Sequence, residues 1–518
     1  MQTRSSFFIH AAYGLTLFLA SAAAMVLEIV AGRLLAPYVG MSLYTWTAII
    51  SVVLAGLTIG HWIGGRLAEG AAHSAGRQRR AAAIALALAA LSSVLSLPLL
   101  RLGAGPLLAW GLNPIAAIVA LAALLFLTPS LFAGIVSPVL TKLAVDADRD
   151  HTGRTIGRMY ALGAAGSILG TLAAGYVFIS LIGSTGTVLA VAGLYGLLAL
   201  ALAIGQRRAT LACLGLFALA ATVLALKPQA LASVCAAESD YYCLRVEDFS
   251  DQSGRDSAVL VLDHLGHGIN DRLRPDLFHS SYLQFSDLMA ERRFGRQRLA
   301  AFFIGGGAFT LPRAWSESFA HPHLLVAEID PMVTAIAQDR LWLAKDAKGL
   351  VIDHRDARVA LQSLPRTAQF DVVFGDAFHD IGIPPHLVTR EFHQEIAARL
   401  KPGGFYAINV IESRHQPLFL FALLQTLQRD FAVVEVWVDG DELAQGERIT
   451  YLVLASDQAS DTALLRAHGL YTRHWLRLKG DQVRAKVAEA GLADLTDDFA
   501  PVDRLMAHVL LSPEIAEH

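Results

Sequence analysis

Uncharged apolar residues fill the first 230 positions in long unbroken runs, whereas the rest of the chain alternates short apolar stretches with turns and charged segments. Apart from Glu28, residues 5–32 carry no charge, and further uncharged runs cover 34–65, 81–100, 102–141, 159–206 and 209–226. About 20 apolar residues suffice to cross a bilayer. Broken where Gly and Pro cluster at 103–114 and 181–186, the runs predict seven helices near 7–30, 43–65, 81–100, 115–137, 160–181, 186–205 and 209–226. Because six more follow it, the first run reads as a spanning helix and not a cleaved leader. Gly56, Gly60 and Gly64, and again Gly163, Gly166 and Gly170, recur at the spacing that lets helices approach closely.

Beyond residue 230 the period changes. Tyr241–Glu247 and Ala258–Asp263 are strand-like runs around a polar loop, predicting a β-hairpin subdomain. A helix capped by Ser280 or Ser281 follows, carrying Tyr282 just after His279. From 299 the pattern is strand, turn, helix, repeated: Leu299–Ile304, His323–Ile329, Gly349–Ile352 and Phe370–Phe374 are the strands. Asp330-Pro331 opens one intervening helix, and Lys401-Pro-Gly-Gly closes the helix from Thr389. The fold class expected is therefore an amino-terminal polytopic α-helical membrane bundle and a carboxy-terminal α/β Rossmann-like domain of the methyltransferase type, with a parallel sheet. Its parts would be residues 1–230 (bundle), 231–298 (hairpin and entrance helix) and 299–518 (Rossmann-like domain), three parts being also what 518 residues suggest.

Charge sharpens the division. Residues 1–230 hold 14 Lys+Arg and 5 Asp+Glu, the remainder 28 and 40. Neither half has the basic excess of a nucleic-acid binder, and three cysteines exclude a disulfide-framework fold. With seven spans, eleven Lys/Arg fall on the amino-terminal side and three (Arg33, Arg101, Lys227) on the other. Positive loops stay inside, so the carboxy-terminal domain is expected outside an inner, multi-pass cell membrane. Cys235 and Cys243 would suit a disulfide there; equally, they are two unrelated small residues. Glu28 lies within a span, where a charge is costly, and either pairs with Arg33 or serves transport.

In parallel α/β sheets, ligands bind at the carboxyl ends of the strands. Four successive strand ends here carry Gly305-Gly306-Gly307, Glu328, Asp356 and Asp376. The glycine turn lets a ligand approach the backbone, and Glu328, 23 residues after Gly305, stands where an acid takes ribose hydroxyls. His264 and His267 with Asp263, Asn270 and Asp271 match no zinc spacing, so no metal is expected; the two histidines either line the mouth of the site or are polar loop residues. Trp315 and Phe319, at helical spacing, read as core.

Phe302-Phe303-Ile304-Gly305-Gly306-Gly307, Ala327-Glu328-Ile329-Asp330 and Phe370-Asp371-Val372-Val373-Phe374-Gly375-Asp376 resemble the spermidine synthase (polyamine aminopropyltransferase) family. Glu238–Tyr242 agrees, and Leu495–Asp503 resembles its membrane-fused members. The resemblance implies that Glu328 binds the ribose of a sulfonium nucleoside, Asp356 the adenine edge and Gly305–Gly307 the methionine-derived part. It makes Asp376 the catalytic carboxylate with Tyr282 beside it, and places His279 and Asp380 at the acceptor. The co-substrate would be S-adenosylmethionine or its decarboxylated form. The other partners implied are a small-molecule amine and the lipid bilayer, with a homodimer as a candidate assembly.

Two positions depart from the family. Ala308-Phe309 stand where it continues Asp-Gly, the acid that holds the donor's amine, and the second acid after Asp376 is displaced to Asp380. The expected activity is aminopropyl transfer to an amine, releasing methylthioadenosine. The alternatives are intramolecular cyclisation of S-adenosylmethionine to methylthioadenosine and a lactone, methyl transfer, and a non-catalytic cofactor sensor coupled to a transport bundle.

Overall fold

The structure, a computed structural model, describes residues 2–70, 74–226, 228–378 and 382–507. Its contacts divide the chain into two compact units, Met1–Cys243 and Leu244–Ala516.

Among its described residues the first unit has six helices long and apolar enough to cross a membrane: α1 (His10–Val39), α2 (Leu43–Glu69), α3 (Ala75–Leu108), α4 (Pro114–Ala147), α5 (Arg149–Ala203) and α6 (Arg207–Leu226). The segments predicted at 160–181 and 186–205 are both in α5. Its 55 residues correspond to ~80 Å at 1.5 Å per residue, too long for one crossing. The helix breaks at Gly183, whose φ of 67° and ψ of 177° are non-helical and easily reached by glycine. The Glu238 carboxylate accepts from Ser184 N at 2.8 Å, capping the second arm. The break expected at 103–114 falls at its far end, between Leu108 and Pro114, because α3 runs on through Gly103, where glycine weakens a helix without ending it.

Small residues let these helices touch. A Cβ at Gly56 would lie 2.8 Å from Leu127 O and one at Gly64 2.6 Å from Ile135 O, so α2 and α4 meet backbone to backbone. At one end of the unit His10 Nε2 lies 3.0 Å from Ala144 O, and Arg79 donates to Leu202 O and Ile204 O. At the other, Arg101 donates to Tyr38 Oη at 2.9 Å, and Arg33 donates to the carbonyls of Ser239 and Tyr241. Arg33 thus bonds to the chain after α6. Cys235 and Cys243 form a disulfide with Cα atoms 5.2 Å apart.

The second unit begins with antiparallel strands β1 (Cys243–Asp248), β2 (Ser257–Leu262) and β3 (Leu265–Asp271). The polar segment 262–271 is therefore a two-residue turn and a third strand. Asp263 takes a positive φ of 53° in that turn, a conformation Asp tolerates. Helix α7 (Ser281–Phe294) leads into a nine-stranded sheet.

Five strands run parallel, in the order β6 (Leu350–Asp353), β5 (His321–Ala327), β4 (Arg298–Ile304), β7 (Phe370–Gly375), β8 (Leu400–Ser413). Four antiparallel strands extend the sheet beyond β8: β10 (Arg448–Ser456), β9 (Val433–Asp439), β12 (Arg473–Arg477) and β11 (Leu464–Ala467). The parallel sheet predicted is thus a mixed one, since β8 pairs antiparallel with β10, β10 with β9, β9 with β12 and β12 with β11. Lys401-Pro-Gly-Gly opens β8 and does not cap a helix; the preceding helix, Arg390–Ala397, ends three residues earlier. Trp315 and Phe319 are core residues, 0% and 1% exposed.

These close approaches give a paired test. Gly60→Val would press against Leu131 O and Gly134 Cα and should destabilise the first unit by ~1–3 kcal/mol. Gly65→Ala, with no atom within 4 Å of its Cβ, should leave stability unchanged or slightly raised. Thermal denaturation of the two variants in the same lipid nanodiscs should separate them.

Candidate functional site

Strand register assembles the site. Ile304 pairs with Ala327 on one side and Gly375 on the other, while Gly375 pairs with Ile408. The next residue of each strand is therefore level with its neighbours, giving the row Glu328, Gly305, Asp376, Asn409. Backbone bonds continue the ladder into the turns, Gly305 N to Ala327 O at 3.0 Å and Asp376 N to Ile304 O at 3.1 Å.

Glu328 is 6% exposed and holds the glycine turn. Its Oε2 accepts from Gly306 N at 2.8 Å and Gly307 N at 3.4 Å, and its Oε1 from Asp330 N at 2.9 Å. Burial pushes its pKa up against the pull of these amides. A carboxylate has about four acceptor sites, so a further donor can be accommodated. At Gly306 a Cβ would lie 2.6 Å from the Phe309 ring, so only glycine fits. Phe309 is fully buried at a φ of 55°, a position costly for a bulky residue.

Asp376 is the most perturbed group of the row. Asn409 Nδ2 donates to its Oδ1 at 2.8 Å, and Tyr282 Oη to its Oδ2 at 3.1 Å. Burial raises its pKa to about 6, against those two hydrogen bonds. Tyr282 reaches it from α7 with its ring parallel to Phe374, centroids 6.4 Å apart, and its hydroxyl is pushed well above the ordinary tyrosine range by burial and by Asp376. In front lies a narrow cavity of about 20 Å³ whose walls include Tyr282, Gly305, Gly306, Ala308, Asp376 and His267. Burial drives His267 down to about 4, so its imidazole is neutral at pH 7 while Asp376 titrates nearby.

The other predicted residues are placed as follows. Gly307 stays with the turn, 3.1 Å from His267 O when a Cβ is built on it. Asp356 caps the helix Ala357–Ser363 through Arg358 N and Val359 N, and its Oδ2 lies 2.7 Å from His386 Nε2. That imidazole holds it below the usual carboxylate range. His279 is not on the cavity wall: its Nδ1 lies 2.8 Å from Tyr471 Oη and its ring packs edge-on to Phe249. Asp380 lies outside the described residues. Among those described, no group of acids, histidines and cysteines could hold a metal ion. His264 sits in the hairpin turn and is lowered to about 4 by burial.

Sequence reading missed Asn409 altogether. Its signal was one polar residue inside the apolar run Phe405–Val410, which marks a buried side chain that needs a polar partner.

The strand order β6-β5-β4-β7-β8, which reverses direction at β4, makes this an α/β domain of the doubly wound class, with the row of glycine and acidic residues at its strand ends. No family model matches the sequence. Over 118 residues, 23% of this chain and 38% of the relative, it is 31% identical to a polyamine aminopropyltransferase of Vibrio vulnificus (strain CMCP6). Over 173 residues, 33% of this chain and 36% of the relative, it is 24% identical to a probable polyamine aminopropyl transferase of Bifidobacterium longum (strain NCC 2705). The chain thus spans somewhat over a third of the length of these curated relatives. Of the solved structures, a probable spermidine synthase from Corynebacterium glutamicum is 17% identical, covering 52% of this chain and 99% of that one with a TM-score of 0.44. Over these stretches the chain is similar in sequence to proteins named polyamine aminopropyltransferases.

The poise of Asp376 is measurable without a substrate. A carboxyl that rises from 3.8 to about 6 on folding binds its proton more tightly in the native state. Its contribution to stability is therefore full below pH 3.8 and lost as pH rises through 6. Asp376→Asn should raise the melting temperature at pH 8 relative to its effect at pH 4, by at most ~3 kcal/mol of stability. Asn409→Leu removes a donor to the carboxylate and should move the Asp376 titration above 6, as read by carboxyl-carbon NMR of the labelled protein.

Proposed function

We propose that this chain is a multi-pass membrane protein whose second unit is a transferase acting on S-adenosylmethionine or its decarboxylated form. It passes the aminopropyl group to an amine and releases methylthioadenosine. The observation that carries the reading is the cavity in which Asp376, at about 6 and oriented by Tyr282 and Asn409, faces the glycine turn held by Glu328.

In this mechanism the sulfonium nucleoside lies along the strand ends, its ribose on Glu328, its adenine edge toward Asp356 and its methionine-derived part over Gly305–Gly307. The acceptor nitrogen attacks the carbon next to sulfur; the N–C bond forms, the C–S bond breaks and a neutral thioether leaves. An alkylamine with a pKa near 10.4 is unprotonated in only about 0.04% of molecules at pH 7. A carboxylate that orients the amine and takes its proton therefore supplies what the reaction lacks. His279 and Asp380 are assigned to the acceptor's approach. A second reading, in which the donor keeps its carboxylate and cyclises, is favoured by Ala308, which places a methyl group on the cavity wall where the family has an acid.

The catalytic unit is assigned to the outside of the cell membrane. The hydrogen bonds joining Arg79 to the end of α5, and Arg33 to the segment after α6, group the loops as an odd number of crossings requires. The disulfide suits an oxidising compartment.

Incubating the purified protein with each sulfonium nucleoside, with and without amines, and weighing the products should give methylthioadenosine plus an aminopropylated amine. Methylthioadenosine without an amine adduct would select the cyclisation reading, and intact donor throughout would end both. Asp376→Asn should lower turnover ~10²–10⁴-fold with nucleoside binding kept. Wild-type turnover should decline as pH falls through about 6, where Asp376 gains its proton. Glu328→Gln should weaken methylthioadenosine binding ~10–100-fold in calorimetry; an unchanged dissociation constant would remove Glu328 from the site.

For sidedness, a carboxy-terminal reporter that works only outside the cytoplasm should be active. A signal solely from a cytoplasmic reporter would reverse the assignment.

A further inference from the structure

A second opening in the second unit has no part in the chemistry above. It is a cleft of about 390 Å³ between helix α12 (Leu418–Leu427) and helix α14 (Gly480–Ala490), where α13 is Gly440–Gln445 between β9 and β10. It shares no lining residue with the cavity at Asp376. Its volume is that of a small-molecule site.

The cleft is two-faced. Its wall includes an apolar part, formed by Phe421, Leu478 and Val483, each partly exposed above the buried Leu420, Leu424 and Val436. Helix α12, LFLFALLQTL, is largely a core helix with seven of its ten residues buried, and Phe421 is among those left partly exposed at the cleft. The rim is cationic, with Arg414, Lys479 and Lys486 exposed around the opening and Glu489 the one acid lining it.

Most of the arginines in this unit are committed to carboxylates, as Arg358 is to Asp497 at 2.7 Å and Arg292 to Asp461 at 2.8 Å. No ion pair is recorded for Arg414, Lys479 or Lys486 among the described residues; Arg414 makes a long 3.5 Å contact to Ala444 O. The N-terminus of α12 is already satisfied, since Glu412 Oε2 accepts from Phe419 N at 3.0 Å. The positive charge at the opening is thus side-chain charge left without a counter-ion beside an apolar wall.

We propose that this cleft binds a single-chain lipid anion, a fatty-acid-like molecule whose acyl chain lies on Phe421, Leu478 and Val483 while its carboxylate meets Lys479, Lys486 and Arg414. Charge complementarity fixes the sign of the head group, and the apolar wall fixes the tail. A bilayer-resident chain, as proposed above from its six apolar helices, has such molecules within reach; the cleft itself does not depend on the transferase reading.

The test uses the full chain in zwitterionic nanodiscs with a dodecanoate bearing a diazirine on its chain. Irradiation followed by peptide mapping should label 418–424 and 478–490. Excess dodecanoate should suppress this labelling, whereas dodecanol and dodecyltrimethylammonium should not. The double variant Lys479→Glu, Lys486→Glu, on exposed positions and with an unchanged melting temperature, should lose labelling about tenfold or more.

Several results would overturn the proposal. One is equal suppression by dodecanol, which would mean apolar partition alone. Another is undiminished labelling of the double variant, and a third is label confined to other peptides. Labelling that appears only after residues 508–518 are deleted would assign the cleft to the chain's own acidic, apolar end, and would equally exclude the lipid anion as its occupant.

Discussion

The parallel register between β4 and its neighbours is the constraint on which the rest of the second unit depends. Ile304 is level with Ala327 and Gly375, and Gly375 with Ile408, so four strands deliver their next residues to one edge in the order Glu328, Gly305, Asp376, Asn409. A slip of one residue in any strand would turn its terminal side chain to the opposite face. The register is itself secured by the buried strand interiors, where Phe302, Val326, Val373 and Ala407 are 0% exposed. The apolar core therefore sets the geometry of the polar site, and Phe303 and Phe374 carry that core up to the cavity wall.

Along that edge, burial and hydrogen bonding act in opposite directions on neighbouring acids. Asp356, open to His386 and to two helix amides, is held below the carboxylate range, whereas Asp376, enclosed by Tyr282 and Asn409, is lifted to about 6. His267 across the cavity is driven the other way, to about 4. The ordinary order of a carboxylic acid and an imidazole is thereby inverted, and the group that exchanges a proton near neutrality is the aspartate. Such separation of neighbouring titrations by environment is how a site divides the work of proton transfer from that of binding.

The first unit rests on a different physics. Its helices approach through glycine, with α2 against α4 and α5 against α1, and its longest helix is folded back at Gly183 where Glu238 supplies the missing cap. The segment that supplies Glu238 is closed by the Cys235–Cys243 disulfide and tied down by Arg33. Three distant stretches, the end of α1, the break in α5 and the chain after α6, are brought together at one end by polar contacts that none of their local sequences announces.

The sequence by itself determined the two-part organisation, the positions of the apolar helices, the first four parallel strands and the residues Gly305, Glu328, Asp356 and Asp376 at their ends. These are legible because strand and helix periods, glycine turns and charge distribution are local properties. Tertiary structure alone decided what depends on pairing between distant segments. It decided the four antiparallel strands beyond β8, the third strand hidden in a histidine-rich segment, and the position of His279 against Tyr471 away from the cavity. It decided the choice of His267 over His264 for the cavity wall and the contact of Asn409 with Asp376. It also decided that α5 is one broken helix: glycine permits both a continuous helix and a turn, as Gly103 and Gly183 respectively show. Which of the two occurs is set by a carboxylate 55 residues away in sequence, and no local pattern encodes it.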